Sequence, residues 1–169
     1  PELTALDADE EVMRYLDRPR TPEQVRERQL ARMDPTHDAM GLGYWCGYHR
    51  GRFVGWWLLT PEGPGWAEIG WRLSRSAWGR GLATEGARAV IEHGFTTVGL
   101  ERIKGETMVA NERSRSVMVK LGMRHARIEH RTAADGDQHI GLDPVQQRHT
   151  LLDGLLVGFR GDIGEHVHV

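Results

Sequence analysis

The sequence predicts a mixed α/β (α+β) domain: one central sheet with helices on both of its faces. Three observations carry this. A Trp-rich stretch from Gly41 to Ser74 alternates strand-like runs with turn sequences, as an antiparallel meander does. Two later stretches repeat apolar residues at helical spacing, with a β-rich run between them. Helix-start signals fill the first third of the chain. The 169 residues, 39% hydrophobic and 27% charged, read as a single domain over 1–169, long enough to bury a core without disulfide or metal.

The elements follow in order. Residues 11–16 give one or two helical turns. Thr21-Pro22-Glu23 starts a longer helix: Thr caps, Pro fits the first turn, and Glu faces the positive end of the dipole. Val25, Leu30 and Met33 supply its sparse apolar stripe, and Asp34-Pro35 ends it. Strands are expected at 42–49, 52–60 and 66–74, parted by His-Arg-Gly-Arg and Pro-Glu-Gly-Pro-Gly turns. Ala83, Ala87, Val90, Ile91 and Phe95 then recur at helical spacing over about 80–96, with Glu85, Arg88 and Glu92 opposite. A strand at 102–110 follows. Ser114, Val117, Met118 and Leu121 share one face of a shorter helix that ends at Gly122. A last strand is expected at 123–131. Beyond 132 the pattern decays into Gly, Asp, His and Gln, and only 150–159 is apolar enough to be ordered.

Several function classes are disfavoured at once. A net charge of −2 gives no basic surplus for coating nucleic acid. Cys46 is the only cysteine, so no internal disulfide can form, and a reducing, cytoplasmic setting is expected. The longest apolar run, 54–59, falls far short of the ~20 residues that a membrane span needs. The chain opens on Pro1 with no charged-then-apolar leader, so no secretory signal is expected. Six of the nine His follow residue 124, and none forms a His-x-x-x-His pair, so no metal is expected.

The chemistry concentrates in Trp78-Gly-Arg-Gly-Leu-Ala-Thr-Glu85, between a strand and a helix. Glycines there let a backbone approach a ligand closely, and a helix N-terminus offers free N–H groups in a positive field. Such a turn suits a pyrophosphate, with Arg75 and Arg80 adding charge. A tight turn alone would use the same glycines. Two familiar phosphate loops are excluded. Gly81 is followed by Leu82-Ala83 rather than Lys-Ser/Thr, and Thr84 stands where a dinucleotide fingerprint has its third Gly. Asn111 is a good N-cap for the next helix. Ser114 shares a face with Val117, Met118 and Leu121, which turns its hydroxyl toward the interior or a cleft.

These residues resemble a family. The run from Glu68 to Glu85, then Gly99-Leu-Glu-Arg102, Asn111-x-x-Ser114 and Lys120-Leu-Gly-Met123 resemble the GNAT acyltransferases, in the branch of RimJ/RimL-like N-acetyltransferases. The likeness is firm over 66–124, with a family-like core at about 7–131 and an irregular tail at 132–169. It implies a GNAT fold that binds acetyl-CoA in a V-shaped gap between parallel strands at 66–74 and 102–110. It implies that the backbone amides of Gly79, Arg80, Gly81, Ala83 and Thr84 hold the pyrophosphate. Backbone groups from Trp71 to Leu73 would hold pantetheine, with Asn111 and Ser114 near the thioester. The chain also departs from the family. The family's first strand has no counterpart before residues 1–6, and its closing aromatic strand does not match the tail. Met118 stands where many members carry a Tyr that protonates the leaving thiolate.

Acetyl transfer to an amine needs a deprotonated nucleophile and a stabilised leaving group. Ammonium groups titrate at about 8 to 10, so a carboxylate in the cleft, often acting through water, can take the proton at neutral pH. Glu106, five residues before Asn111, is the first candidate base and Glu68 the second; the resemblance points to acidic residues at both places. A salt bridge to Arg102 or Lys104 is the plain structural alternative for either. Ser114 is the nearest hydroxyl to stabilise the departing sulfur. Cys46 lies on the meander, so direct attack in a ternary complex is expected rather than an acyl-enzyme. The expected acceptor is a primary amine, on a protein N-terminus or a small molecule, in a homodimeric protein that binds neither nucleic acid nor membrane. The rival readings are a non-catalytic acyl-CoA-binding module and an antibiotic-modifying acetyltransferase.

Overall fold

A computed structural model of the chain describes residues 1–16, 19–32, 34–129 and 139–144. Two short helices open it, α1 (Glu2–Ala8) and α2 (Glu10–Met13). Asp9 separates them, and its carboxylate caps α2 by accepting the Glu11 and Val12 N–H groups at 3.0 and 3.3 Å. Helix α3 (Pro22–Arg32) starts on a capping box: Gln24 N–H donates to the Thr21 hydroxyl, and Thr21 N–H to the Gln24 side chain. Its apolar stripe is narrower than the sequence predicts. Val25 is buried, whereas Leu30 is 61% exposed, because five residues carry it well round the helix from Val25. Met33 lies outside the described residues. Asp34-Pro35 also opens a further helix, α4 (Pro35–Ala39), with Asp34 accepting Thr36 N–H at 2.8 Å.

Strands β1 (Gly43–His49), β2 (Arg52–Gly63) and β3 (Trp66–Leu73) form the predicted antiparallel meander. Helix α5 (Leu82–His93) runs on into a π-helical turn, Gly94–Val98. Next come β4 (Arg102–Met108), α6 (Glu112–Lys120) and β5 (Met123–Glu129). One strand corrects the sequence reading. His139–Pro144, in the stretch read as decayed pattern, is β6. It lies between β4 and β5, in a six-stranded sheet ordered β1-β2-β3-β4-β6-β5. Its Gly and Asp give little local strand propensity; antiparallel partners on both sides supply the backbone hydrogen bonds instead. The apolar 150–159 segment lies outside the described residues.

Helices cover both faces of the sheet, as predicted. On one face Leu59, Ala67, Ile69 and Ile103 pack under Ala87 and Val90 of α5 and Met118 of α6. On the other, Trp56 packs with Leu6 and Val12 of α1 and α2. Neighbouring tryptophans thus face opposite ways, as strand alternation requires. Trp57 seats α5: its indole N–H donates to the Ala83 carbonyl at 3.2 Å, and a Cβ on Gly86 would run into its ring. That contact fixes the height of the α5 N-terminus above the sheet.

Candidate active site

The site begins where two strands part. β3 and β4 pair in parallel only at Trp66 with Arg102, Ala67 with Ile103 and Glu68 with Lys104. Beyond that point β4 pairs with β6 instead, so a gap opens between β3 and β4. Ser74 N–H donates back to Val54 of β2 at 2.9 Å. By alternation, the backbone groups of Ile69, Trp71 and Leu73 face the gap. The Leu73 carbonyl accepts the Trp78 indole N–H there at 2.8 Å.

At the far end of β3 the chain passes through a short 3-10 turn, Arg75–Ala77, into the glycine turn. Gly79 and Gly81 have φ of +70° and +80°, a left-handed conformation that a side chain strains. A Cβ on either would meet nothing within 4 Å, so both face open space. Gly81 caps α5 without a side chain, and Glu85 N–H is the first to bond back to it, at 3.0 Å. The N–H groups of Leu82, Ala83 and Thr84 therefore lie at the open helix end, in the positive field of a twelve-residue dipole. Arg75 and Arg80 are exposed beside them. This arrangement fits a phosphorylated ligand. Arg113, at the start of α6, lies 4.4 Å from the centroid of the Trp78 ring and ties that helix to the turn.

Asn111 caps α6, its side-chain oxygen accepting Ser114 N–H at 3.1 Å. Ser114 is half-buried on the inward face with Val117 and Met118. Met118 is 1% exposed, and a Cβ on Gly105 would meet its methyl at 3.2 Å, so a thioether with no proton to give fills the position expected for Tyr.

Glu68 and Glu106 come together on the opposite face, since Gly105 faces α6 and its neighbours alternate. Their meeting point is Lys104, whose ammonium lies 3.1 Å from Glu106 and 3.9 Å from Glu68. Glu62 of β2 joins at 3.2 Å. Burial pulls the Lys104 ammonium down, but hydrogen bonds to Glu106 and Glu62 and the nearby carboxylate charges outweigh it, holding it above the usual lysine range. Ser114 and Glu106 are not brought side by side: they flank the sheet, with the gap between them. Cys46 stands apart on β1, its thiol pushed up by burial and by the charge of Glu2. Among the described residues no group of three or more His, Cys, Asp or Glu is arranged to hold a metal. None of their helices is long and apolar enough to cross a membrane.

Sequence reasoning missed a second charged cluster. The Asp7 carboxylate accepts from Arg72 of β3 and, at 3.2 Å, from Arg20, all three side chains being buried. The one available signal was spacing: Arg72 follows Glu68 by four residues, which puts both on the same strand face.

The acetyltransferase (GNAT) domain family matches residues 1–124. The chain belongs to the GNAT family. The resemblance to the GNAT acyltransferases read from its motifs is thereby borne out. FsC-acetyl coenzyme A-N(2)-transacetylase of Aspergillus fumigatus is 38% identical to this GNAT chain over 131 residues, covering 71% of the chain and 56% of that protein. The chain spans about half, or less, of the length of the curated relatives it matches. Among solved structures, the spermidine N-acetyltransferase of Vibrio cholerae, in complex with CoA and spermine, superposes with a TM-score of 0.70 at 15% identity, over 86% of this chain and 88% of that one. RimL, a ribosomal L7/L12 α-N-protein acetyltransferase, gives 0.72 at 16% identity, over 84% of each chain. These likenesses establish the GNAT fold.

Proposed function

We propose that this GNAT domain transfers an acetyl group from acetyl-CoA to a primary amine, by direct attack in a ternary complex. The observation that carries the reading is the parting of β3 and β4 beside a glycine turn whose Cβ positions face open space. The amides of Gly79, Arg80, Gly81, Ala83 and Thr84 hold the pyrophosphate, with Arg75 and Arg80 at its edge. Backbone groups of Trp71 and Leu73 hold pantetheine in the gap, and Asn111 and Ser114 lie toward the thioester. The two faces then divide the chemistry. Glu106, with Glu68 beside it, takes the proton of the incoming ammonium on the α1–α2 face. Ser114 stabilises the departing sulfur from the α6 face.

The relatives' names support an amine acceptor: an N(2) nitrogen for the Aspergillus protein, spermidine for the Vibrio one, a protein N-terminus for RimL. The RimJ/RimL-like branch, a cytoplasmic setting and a single domain over 1–169 complete the reading. So does a homodimer, supported by β1 standing at the sheet edge. Buried Met118 favours one rival, a non-catalytic acyl-CoA-binding module. A thiol-release assay with acetyl-CoA across a panel of amines decides between them. Turnover with any amine supports the enzyme; calorimetric binding of acetyl-CoA without turnover supports the module; no binding overturns both.

A further inference from the structure

We propose that Lys104 is a positioning residue of this site, a cationic clamp that holds the Glu68 and Glu106 carboxylates together at the fork where β3 and β4 part. This rests on the reading of the site given above. Glu68 with Lys104 is the last paired register between the two strands. From there the ammonium gathers carboxylates from three strands: Glu106 at 3.1 Å, Glu62 at 3.2 Å and Glu68 at 3.9 Å. Without a cation among them, like charges on neighbouring strands would turn away from one another and from the fork. Trp66 backs the clamp, its ring centroid 5.1 Å from Lys104 Nζ and 4.7 Å from the Arg102 guanidinium. The charged groups around Lys104 are thus Glu62 from β2, Glu68 from β3, Glu106 from its own strand and Arg102 across the Trp66 ring. Exposure of the four paired side chains runs only from 18% for Lys104 to 35% for Glu62, so solvent screens them incompletely.

The chemical consequence concerns the proton of the incoming ammonium. A carboxylate accepts it only when ionised and turned toward the gap. The hydrogen bond from Nζ fixes the direction in which Glu106 turns. Lys104 itself stays protonated, because its pairing outweighs its burial. It holds the base and does not act as one.

The test compares Lys104→Met and Lys104→Arg with wild type in the full chain. The substrates are acetyl-CoA and the best acceptor among spermidine, benzylamine and a peptide with a free N-terminus. K104M should lower kcat by about 10²-fold, the scale of a small misplacement of a reacting group, with the KM for acetyl-CoA unchanged. K104R should restore the rate. A wild-type kcat in K104M, a KM for acetyl-CoA that rises in step with the loss, or a loss that K104R fails to rescue, overturns the clamp. Carboxyl ¹³C spectra of the coenzyme-free proteins at neutral pH read the clamp without turnover: the Glu106 signal, hydrogen-bonded to Nζ, should move in K104M and return in K104R. Unshifted signals there defeat the clamp alone. A wild type that binds no acetyl-CoA or acetylates none of the three amines defeats the functional reading instead.

Discussion

The carboxylate of Asp7, in the first helix, accepts a hydrogen bond from the guanidinium of Arg72, near the end of β3. Sixty-five residues separate them in sequence. The same carboxylate also takes Arg20, whose N–H donates to the Asp7 carbonyl at 2.9 Å, and Arg72 lies 5.0 Å from the centroid of the Trp56 ring. One buried anion therefore pins α1, and the approach to α3, onto the sheet face that carries Glu68 and Glu106.

Asp7→Asn should be strongly destabilising. It leaves two buried guanidiniums beside a neutral amide, and breaking a buried pair from one side costs about 3–5 kcal/mol. Urea unfolding measures it, and limited proteolysis should show earlier cutting within α1 and α2. A wild-type urea midpoint in this variant would mean that the cluster does not hold these helices down.

Gly81→Asp should abolish acetyl-CoA binding in calorimetry, because it sets a negative charge in the open space at the α5 N-terminus. Gly81→Ala separates charge from backbone. At φ +80° it should cost about 1–2 kcal/mol of stability, and its uncharged Cβ, which meets no protein atom, should weaken coenzyme binding far less than the Asp side chain does. Unchanged affinity in the Asp variant would refute the phosphate assignment.

Ser114→Ala should lower turnover by about 10²–10⁴-fold with little change in acetyl-CoA affinity, if its hydrogen bond to sulfur forms mainly in the transition state. Glu106→Gln should lose activity at neutral pH and regain it as pH rises and free amine accumulates. The pH profiles distinguish the two roles. Weakened binding with full turnover in Ser114→Ala would make that residue a coenzyme contact only. A wild-type profile in Glu106→Gln, lost instead in Glu68→Gln, would move the base to β3.

Cys46→Ala should keep wild-type turnover, and intact-mass spectrometry during the reaction should find no acetylated protein intermediate. Burial and the Glu2 charge push this thiol up, away from the thiolate that a covalent route requires. An acetyl group trapped on Cys46 would contradict direct transfer.

Lys104 also sets an alkaline signature. Its folded-state pKa is raised, so its contribution to stability is complete below the ordinary lysine value of about 10.4 and is lost as pH climbs through the folded value. The urea midpoints of wild type and Lys104→Met should differ by a constant amount through neutral pH and converge above that point. A gap that widens with alkali would mean that the Lys104 pKa is lowered on folding.

The sequence by itself determined the elements whose signals are local. Alternation and Gly-Pro turns marked β1 to β3, apolar spacing marked α5 and α6, and Gly79-x-Gly81 marked the turn between strand and helix. Each depends on residues a few positions apart, which meet in any chain that adopts the element. The candidate bases were legible too, as charges inside strands. Tertiary structure alone decided what those charges touch. Lys104 meets Glu62 and Glu68, and Asp7 meets Arg72, only because the strand order β1-β2-β3-β4-β6-β5 and the docking of α1 bring distant segments together. It also decided β6, whose residues 139–142 pair with 105–108 of β4 despite weak propensity. Side-chain period fixes which face a residue takes, but contacts across the sheet are set by register and burial, which no local window contains.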